Sequence, residues 1–217
     1  MSQTTYVYCG NVENDHCWRR SKIGQIQQIQ VVHISSSRTP YLKASNTLNR
    51  ANLITVPILP SFSESRFSNN SLRIGCFNAR SIGTSVKRSD ISNFILDHQI
   101  DFFFIVETWL KGVGDEARIA DLTPSGYATR SFPRASRGGG LAIIARSHVL
   151  QNIAFKSSFS FEHNSFELFQ ATLSSEGGSV SFFCLYRPPP NRKNKLTDSL
   201  FVEQLSAFLE YCNSITG

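Results

Sequence analysis

A short apolar run constrains the fold of this 217-residue chain more than any other feature. Residues 101–108 read DFFFIVET, so five successive apolar residues lie between polar ends. The length of the run and its aromatic and β-branched content predict a strand that is buried on both faces. Such a strand needs packed layers above and below it, which favours an α/β layered fold.

The residues before this run predict a crossover unit. Residues 72–78 read LRIGCFN and alternate like a half-buried strand, followed by a polar turn. Residues 89–99 place four side chains on one helical face, with Ser89 or Asp90 near the N-terminus. Those four are Ile91, Phe94, Ile95 and His98. Strand, helix and strand within about 35 residues are typical of parallel strands joined by a helix.

The later part of the chain is predicted to be rich in strands. The expected strands are 127–132, 141–145, 165–173 and 179–186. A turn that contains Gly177 and Gly178 should join the last two as a hairpin. Residues 198–212 predict an amphipathic helix capped by Thr197 or Asp198. Its apolar stripe is Phe201, Leu205, Phe208, Leu209 and Cys212.

Residues 1–71 have a different character from the rest. They are rich in Ser, Asn, Gln and Thr, show no sustained period, and end in a segment from Pro57 to Ser71 that is typical of a linker. We therefore expect a polar, disordered N-terminal segment at 1–71 and a folded domain at 72–217.

Composition indicates the class of binding partner and the cellular compartment. The net charge of +6 favours an acidic partner, nucleic acid before others. Residues 72–217 hold fifteen Lys/Arg against thirteen Asp/Glu, so total charge does not locate a basic groove. The sequence has no signal peptide, no apolar stretch long enough to span a membrane and no CxxC pair among its five cysteines. We expect an intracellular protein, nuclear or cytoplasmic, with reduced thiols, that is neither secreted nor bound to a membrane.

Three predicted strands end in polar residues that could meet in one cleft. Asn78, Glu107 and Tyr186 hold these positions. A carboxylate after five apolar residues must be paired or bound to a metal, although Glu107 could also bond a nearby arginine or helix N-terminus. Asn78 could orient a phosphate or a metal-bound water, or simply form a turn.

The Tyr186-Arg187 pair and the run of three glycines each have a functional and a structural interpretation. Tyr186 and Arg187 could offer a phenol and a guanidinium to a phosphodiester, or be a strand-end aromatic beside an arginine that extends to solvent. Glycines 138–140 could cradle a phosphate, but they lack the GxGxxG and GxxxxGK[ST] spacings and favour a loop that opens a strand. No HxxxH pair and no GxSxG motif occurs, so neither a zinc protease nor an α/β-hydrolase is supported.

Four segments in order carry a resemblance to a known family. They are residues 76–82 (CFNARSI), 106–110 (VETWL), 137–143 (RGGGLAI) and 186–189 (YRPP). Together they resemble the endonuclease/exonuclease/phosphatase superfamily, and within it the apurinic-endonuclease-like domain of non-LTR (LINE-type) retrotransposons. The resemblance covers about residues 72 to 213.

The resemblance implies a four-layer α/β sandwich, in which two packed mixed sheets are flanked by helices, that cuts DNA with Mg²⁺ or Mn²⁺ and no small-molecule cofactor. It assigns Glu107 to the metal, Asn78 to the metal and phosphate site, and Tyr186 to the scissile phosphate. It also assigns three groove residues that contact DNA phosphates, namely Arg80, Arg137 and Arg187.

The family's later motifs do not occur in the sequence. No Gly-Asp-x-Asn strand occurs, and no Ser-x-His or Asp-His element follows the YRPP segment, so we expect a truncated domain that is weakly active or inactive alone. A reverse-transcriptase region is expected downstream in an intact element. The alternatives are a remnant that binds nucleic acid without cutting it, and a nonfunctional relic.

Overall fold

The computed structural model describes most of the chain from residue 71 onward and three short segments before it. The described residues are 3–9, 31–34, 53–57, 71–134, 138–175, 178–188 and 196–216. The strands are β1 Gln3–Cys9, β2 Val31–Ile34, β3 Leu53–Pro57, β4 Ser71–Asn78, β5 Phe102–Val106, β6 Tyr127–Phe132, β7 Leu141–Arg146, β8 Ile153–Lys156, β9 Glu167–Ser175 and β10 Gly178–Tyr186. The helices are α1 Ser85–Asp97, α2 Glu116–Leu122, α3 Ser147–Leu150 and α4 Asp198–Thr216.

The chain divides into two compact units. The first unit comprises Met1–Ser37, Ala154–Ser174 and Gly178–Gly217, and the second comprises Arg38–Ile153 and Ser175–Gly177. Each contains one five-stranded sheet with helices, so the predicted α/β class with two mixed sheets is confirmed.

The sheet of the second unit has the order β3-β4-β5-β7-β6. Strand β4 runs parallel to β5 with α1 between them in sequence, as the crossover unit predicts, and the other pairs are antiparallel. All five residues of β5 are fully buried, which confirms the strand covered on both faces. The apolar core on one face of this sheet includes Ile91, Ile95, Phe103, Ile105 and Ile144.

Helix α1 begins earlier than the sequence pattern predicts. Thr84 is the N-cap, and its side-chain oxygen accepts a hydrogen bond from the Lys87 backbone N–H, so the prediction of Ser89 or Asp90 was wrong. At the other end, His98 caps the helix and stacks on Phe94 with 4.2 Å between ring centroids.

The first unit contains a sheet of order β2-β1-β10-β9-β8. The predicted β9–β10 hairpin is present, and β1 pairs in parallel with β10. Helix α4 forms the predicted amphipathic helix, with Thr197 accepting from the Leu200 backbone N–H near its start. The core of this unit joins α4 to the sheet through Phe183, Phe201 and Phe208.

Three strands, β1, β2 and β3, lie inside the segment 1–71. The sequence pattern predicts no strand there, because short apolar islands between polar residues show no sustained period. The predicted linker runs from Pro57, which ends β3, to Ser71, which begins β4, and residues 58–70 lie outside the described residues. The domain boundary near residue 71 stays a prediction.

No helix in the described part of the chain is both long and apolar enough to cross a membrane. Cys184 and Cys212 are buried free thiols, as expected.

Candidate functional site

The second unit brings two of the predicted site residues into direct contact. Asn78 is the last residue of β4 and Glu107 follows the last residue of β5, which pairs with Asn78 in register. The parallel direction of these strands puts both side chains at the same sheet edge. Asn78 Nδ2 donates a hydrogen bond to Glu107 Oε1 at 3.1 Å, and both residues are half-buried.

The amide of Asn78 is held from both sides. The Arg80 backbone N–H donates to Asn78 Oδ1 at 3.1 Å while Nδ2 faces Glu107. A carbonyl oxygen that accepts and an amide nitrogen that donates define one orientation of the side chain. The Asn78 amide therefore fixes one oxygen of the Glu107 carboxylate relative to the backbone of β4.

Strained backbone is concentrated in the two loops that carry this pair. Of the five non-glycine residues with positive φ in the described chain, four lie here: Arg80, Ser81, Glu107 and Trp109, with φ of 45°, 88°, 54° and 58°. Left-handed conformations of residues other than glycine persist only where surrounding contacts hold them, and they cluster at functional sites. The two loops are joined by backbone bonds from Ser81 N to Glu107 O at 2.7 Å and from Ile82 N to Thr108 O at 3.1 Å.

The glycine segment 138–140 supports the Glu107 loop from the other side. Thr108 N donates to Gly140 O at 3.1 Å and Trp109 N donates to Gly139 O at 2.8 Å. A Cβ on Gly140 would lie 2.7 Å from Thr108 Oγ1, so only glycine allows this approach. The segment opens β7, as the loop interpretation predicts, and it positions the residues that follow Glu107.

Helix α1 fastens the loop that follows Asn78. Lys87 Nζ donates to Ala79 O at 2.8 Å, and Arg88 donates to the carbonyls of Ile82 and Gly83 at 2.9 Å each. The buried Arg88 guanidinium also pairs with Asp121 of α2. Carbonyls that would otherwise be unpaired in the loop are satisfied in this way.

Asp115 closes the segment between Glu107 and α2. It is buried and accepts the backbone N–H groups of Lys111 and Gly112, and it pairs with Arg118 at 2.8 Å. Burial raises the pKa of the Asp115 carboxyl, but the two backbone donors and the Arg118 guanidinium outweigh burial and leave the pKa below its usual value. The carboxylate therefore stays charged and holds the backbone at Lys111 and Gly112 in place.

The donor set at the sheet edge is compatible with a hard cation, but only with an open site. Mg²⁺ prefers oxygen ligands and is commonly held by one or two carboxylates, with water and substrate phosphate completing its shell. Glu107 supplies one carboxylate and Asn78 orients it. Within the described residues, no group of three or more His, Cys, Asp and Glu side chains gathers around a point. A cation here would depend on solvent and substrate for most of its ligands.

The remaining predicted residues fall in different places. Arg80 is exposed beside the Asn78–Glu107 pair. Arg137 lies outside the described residues. Tyr186 is a buried residue at the end of β10 in the first unit, where the Arg187 guanidinium pairs with Asp198 and lies 4.3 Å from the centre of the Phe201 ring. The convergence of Tyr186 with Asn78 and Glu107 stays a prediction.

Sequence reasoning missed the supporting residues of the site. Thr108 is 1% exposed and contacts the glycine segment, Arg88 bonds the neighbouring loop, and Trp109 projects beside Glu107. The motif VETWL contains two of them, but neither their burial nor their contacts could be read from it. Arg88 lies on the buried face of α1, where an arginine among apolar residues signals a buried ion pair or carbonyl partners.

Similarity to known proteins is found among solved structures. No protein-family model matches the chain, and a search of curated proteins gives no match. Among solved structures, the chain is similar to the AP endonuclease LMAP from Leishmania major, with 15% sequence identity and a TM-score of 0.43. The similarity covers 64% of this chain and 48% of that one, so the chain spans about half the length of the solved relative. With similarity at this level, a function has to be argued from the site.

Proposed function

We propose that the Asn78–Glu107 pair is part of the active site of a metal-dependent endonuclease that hydrolyses DNA phosphodiesters. The observation that carries the proposal is the 3.1 Å hydrogen bond between a carboxylate and an amide at the ends of two adjacent parallel strands. The strained loops around it support the proposal, because such strain persists where a precise geometry is required.

The residues of the site have distinct roles in this proposal. Glu107 holds Mg²⁺ or Mn²⁺, and Asn78 fixes the carboxylate through its side-chain amide. On the strength of the motif resemblance, Asn78 also contacts the phosphate. Arg80 contributes positive charge at the exposed rim. A bound divalent cation would neutralise charge that develops on the phosphate and on the leaving oxygen. Tyr186, Arg137 and Arg187 are proposed as further substrate contacts on the strength of the motif resemblance.

The four ordered motifs support a finer assignment. They favour the apurinic-endonuclease-like branch of the endonuclease/exonuclease/phosphatase superfamily and an origin in a LINE-type retrotransposon, with a reverse-transcriptase region encoded downstream. An intracellular location, nuclear or cytoplasmic, belongs to the same proposal. Because the Gly-Asp-x-Asn and terminal histidine motifs do not occur in the sequence, we propose weak activity at most for these 217 residues alone.

A plasmid-nicking assay with Mg²⁺ or Mn²⁺ tests this function. Glu107→Gln keeps the shape of the side chain and removes its charge, so nicking should fall to the level seen with EDTA. Glu116→Gln is the matched control, since Glu116 is an exposed carboxylate on α2 of the same unit. Equal nicking by both variants would overturn the role of Glu107.

The same proteins separate catalysis from binding alone. Salt-dependent DNA binding that persists in Glu107→Gln, with no nicking by any variant, would favour the nucleic-acid-binding remnant. The exposed Arg80 next to the pair is the feature that this second function would use. Absence of both binding and nicking would favour the nonfunctional relic.

A further inference from the structure

Trp109 is placed differently from the other exposed apolar side chains. The large apolar residues exposed in the described chain are Val86, Leu96, Trp109, Val113 and Val202. Four of them are aliphatic, and single exposed aliphatic side chains are common on protein surfaces. Trp109 is the aromatic member, is 43% exposed, and follows Glu107 by two residues.

The indole is held in its exposed position. Thr108 and Leu110, on either side of Trp109, are 1% and 2% exposed, so the backbone is anchored at both neighbours. Trp109 adopts a φ of 58° and donates its backbone N–H to Gly139 O at 2.8 Å. A Cβ on Gly138 would lie 3.8 Å from Trp109 Nε1, so this glycine lies beside the indole. The backbone that carries the ring is therefore fixed, and the glycine segment lies along one side of the indole.

A free cation lies on the neighbouring loop. The Arg80 side chain is exposed, and within the described chain its guanidinium has no hydrogen bond or ion pair. Backbone bonds at Ser81 and Ile82 join the Arg80 loop to the Trp109 loop. A cation for phosphate and an aromatic face for a base are the two elements with which proteins bind single-stranded nucleic acid.

We propose that Trp109 stacks on an unpaired base next to the phosphate that lies at the Asn78–Glu107 pair. The substrate class is therefore DNA with a single-stranded or unpaired nucleotide at the position of cleavage. In an intact duplex both faces of a base are covered by its neighbours, and exposing one face costs unstacking energy. This inference rests on the proposed function and adds the substrate structure that the site selects.

Fluorescence tests the stacking directly. The chain has two tryptophans, so Trp18→Phe leaves Trp109 as the source of the signal. The full chain is titrated in EDTA with a short DNA duplex and with the same duplex containing a few central unpaired nucleotides. Stacking predicts quenching of Trp109 and tighter binding with the second probe. Binding of that probe without quenching would overturn the inference.

Two variants distinguish stacking on a base from a structural role in which Trp109 only packs against the glycine segment. Trp109→Phe keeps an aromatic face, whereas Trp109→Leu keeps apolar bulk without one, and circular dichroism shows whether each is folded. Trp109→Leu should lose roughly 5- to 150-fold in affinity for the unpaired probe, with little change for the duplex, while Trp109→Phe keeps most of the affinity. Equal affinities of the two folded variants would overturn the stacking role.

The nicking assay keeps this inference apart from the proposed function. Metal-dependent nicking that is lost in Glu107→Gln but unchanged in Trp109→Leu, on both probes, would overturn the inference alone. Loss of nicking confined to the unpaired probe in Trp109→Leu would support it. If the chain neither binds nor nicks either probe, the proposed function fails and the inference fails with it.

Discussion

At the scale of single residues, the candidate site depends on unfavourable backbone conformations. Glu107 and Trp109 both lie in the left-handed region, with Thr108 between them. A residue other than glycine in such a conformation costs on the order of 1–3 kcal/mol. The backbone bond that Ser81 donates and the two that the glycine segment accepts offset this cost and fix where the carboxylate points. Residues that never touch a substrate therefore determine the position of Glu107.

Gly140 provides a direct test of this dependence. Replacement by alanine would put a Cβ 2.7 Å from Thr108 Oγ1 at a φ of +84°. Gly126→Ala is the matched control, because Gly126 has a φ of +81° and no neighbouring atom within 4 Å of an added Cβ. Both variants pay the left-handed penalty, of about 1–2 kcal/mol. Gly140→Ala should lose a further 1–3 kcal/mol or so from overpacking, measured by urea denaturation. Equal losses of unfolding free energy in the two variants would show that the Thr108 side chain moves away from the added Cβ at no cost.

Part of the candidate site could be predicted from the sequence. Asn78 and Glu107 could be identified because each is a polar residue directly after a strand whose apolar pattern is plain. The role of Gly140 could not, because its contact with Thr108 joins residues 32 positions apart, and no local pattern records that distance. The ion pair of Arg88 was missed for the same reason, since its partner Asp121 lies 33 positions away on α2.

At the scale of secondary-structure elements, predictability follows the strength of the local period. Strand β6 was predicted at its observed bounds, and β5 and the β9–β10 hairpin were predicted within a few residues. Helix α2, with seven residues, was missed because one buried residue gives no helical period. Strands β1 and β2 pair at one edge of the first unit's sheet, where distant pairing rather than local sequence defines them.

The Asp115 loop gives a pH-dependent prediction at this scale. The pKa of Asp115 is lowered in the folded chain, so its carboxylate stabilises the fold above the usual carboxyl pKa of 3.8, and that stability is lost as pH falls through the lower folded value. Asp115→Asn should cost about 2 kcal/mol of unfolding free energy at pH 7, and the difference from the unchanged chain should shrink below pH 4. Urea denaturation at pH 7 and pH 3 measures both.

Asp90→Asn is the control for this prediction, because Asp90 is an exposed carboxylate on α1 of the same unit. It should change the unfolding free energy by less than about 0.5 kcal/mol at either pH. A loss in Asp115→Asn that stays constant from pH 7 to pH 3 would contradict the linkage argument and indicate a packing defect instead.

Helix α4 allows a test of packing in the first unit. Phe201 is 1% exposed in the core of this unit and lies under the Arg187 guanidinium, whereas the next residue, Val202, is 38% exposed. Phe201→Ala should lower the unfolding free energy by about 3–5 kcal/mol, and Val202→Ala should change it by less than about 0.5 kcal/mol. Thermal unfolding followed by circular dichroism compares the two. Similar melting temperatures would show that α4 does not pack as described.

At the scale of the whole molecule, charge is the property that bears on function. The chain carries a net charge of +6, but the part from residue 72 onward is close to balanced. A net positive charge favours weak, general attraction to nucleic acid, but it does not indicate where on the chain nucleic acid would bind. The DNA-binding surface must therefore be located by testing individual exposed cations. Arg80 is the first to test, because it lies next to the Asn78–Glu107 pair.

The salt dependence of DNA binding makes this measurable. Each phosphate that a protein neutralises adds close to one to the slope of log affinity against log salt concentration, because condensed counterions are released. Arg80→Ala should therefore reduce the slope by about 1 for duplex DNA of any sequence. Arg73→Ala is the matched control, since Arg73 is an exposed arginine near the opposite end of the same strand, β4. Two outcomes would contradict this prediction: Arg80→Ala leaves the slope unchanged, or Arg73→Ala reduces the slope by the same amount. Either would mean that the phosphate backbone binds away from the Asn78–Glu107 edge. The proposed active site would then lose its substrate contact.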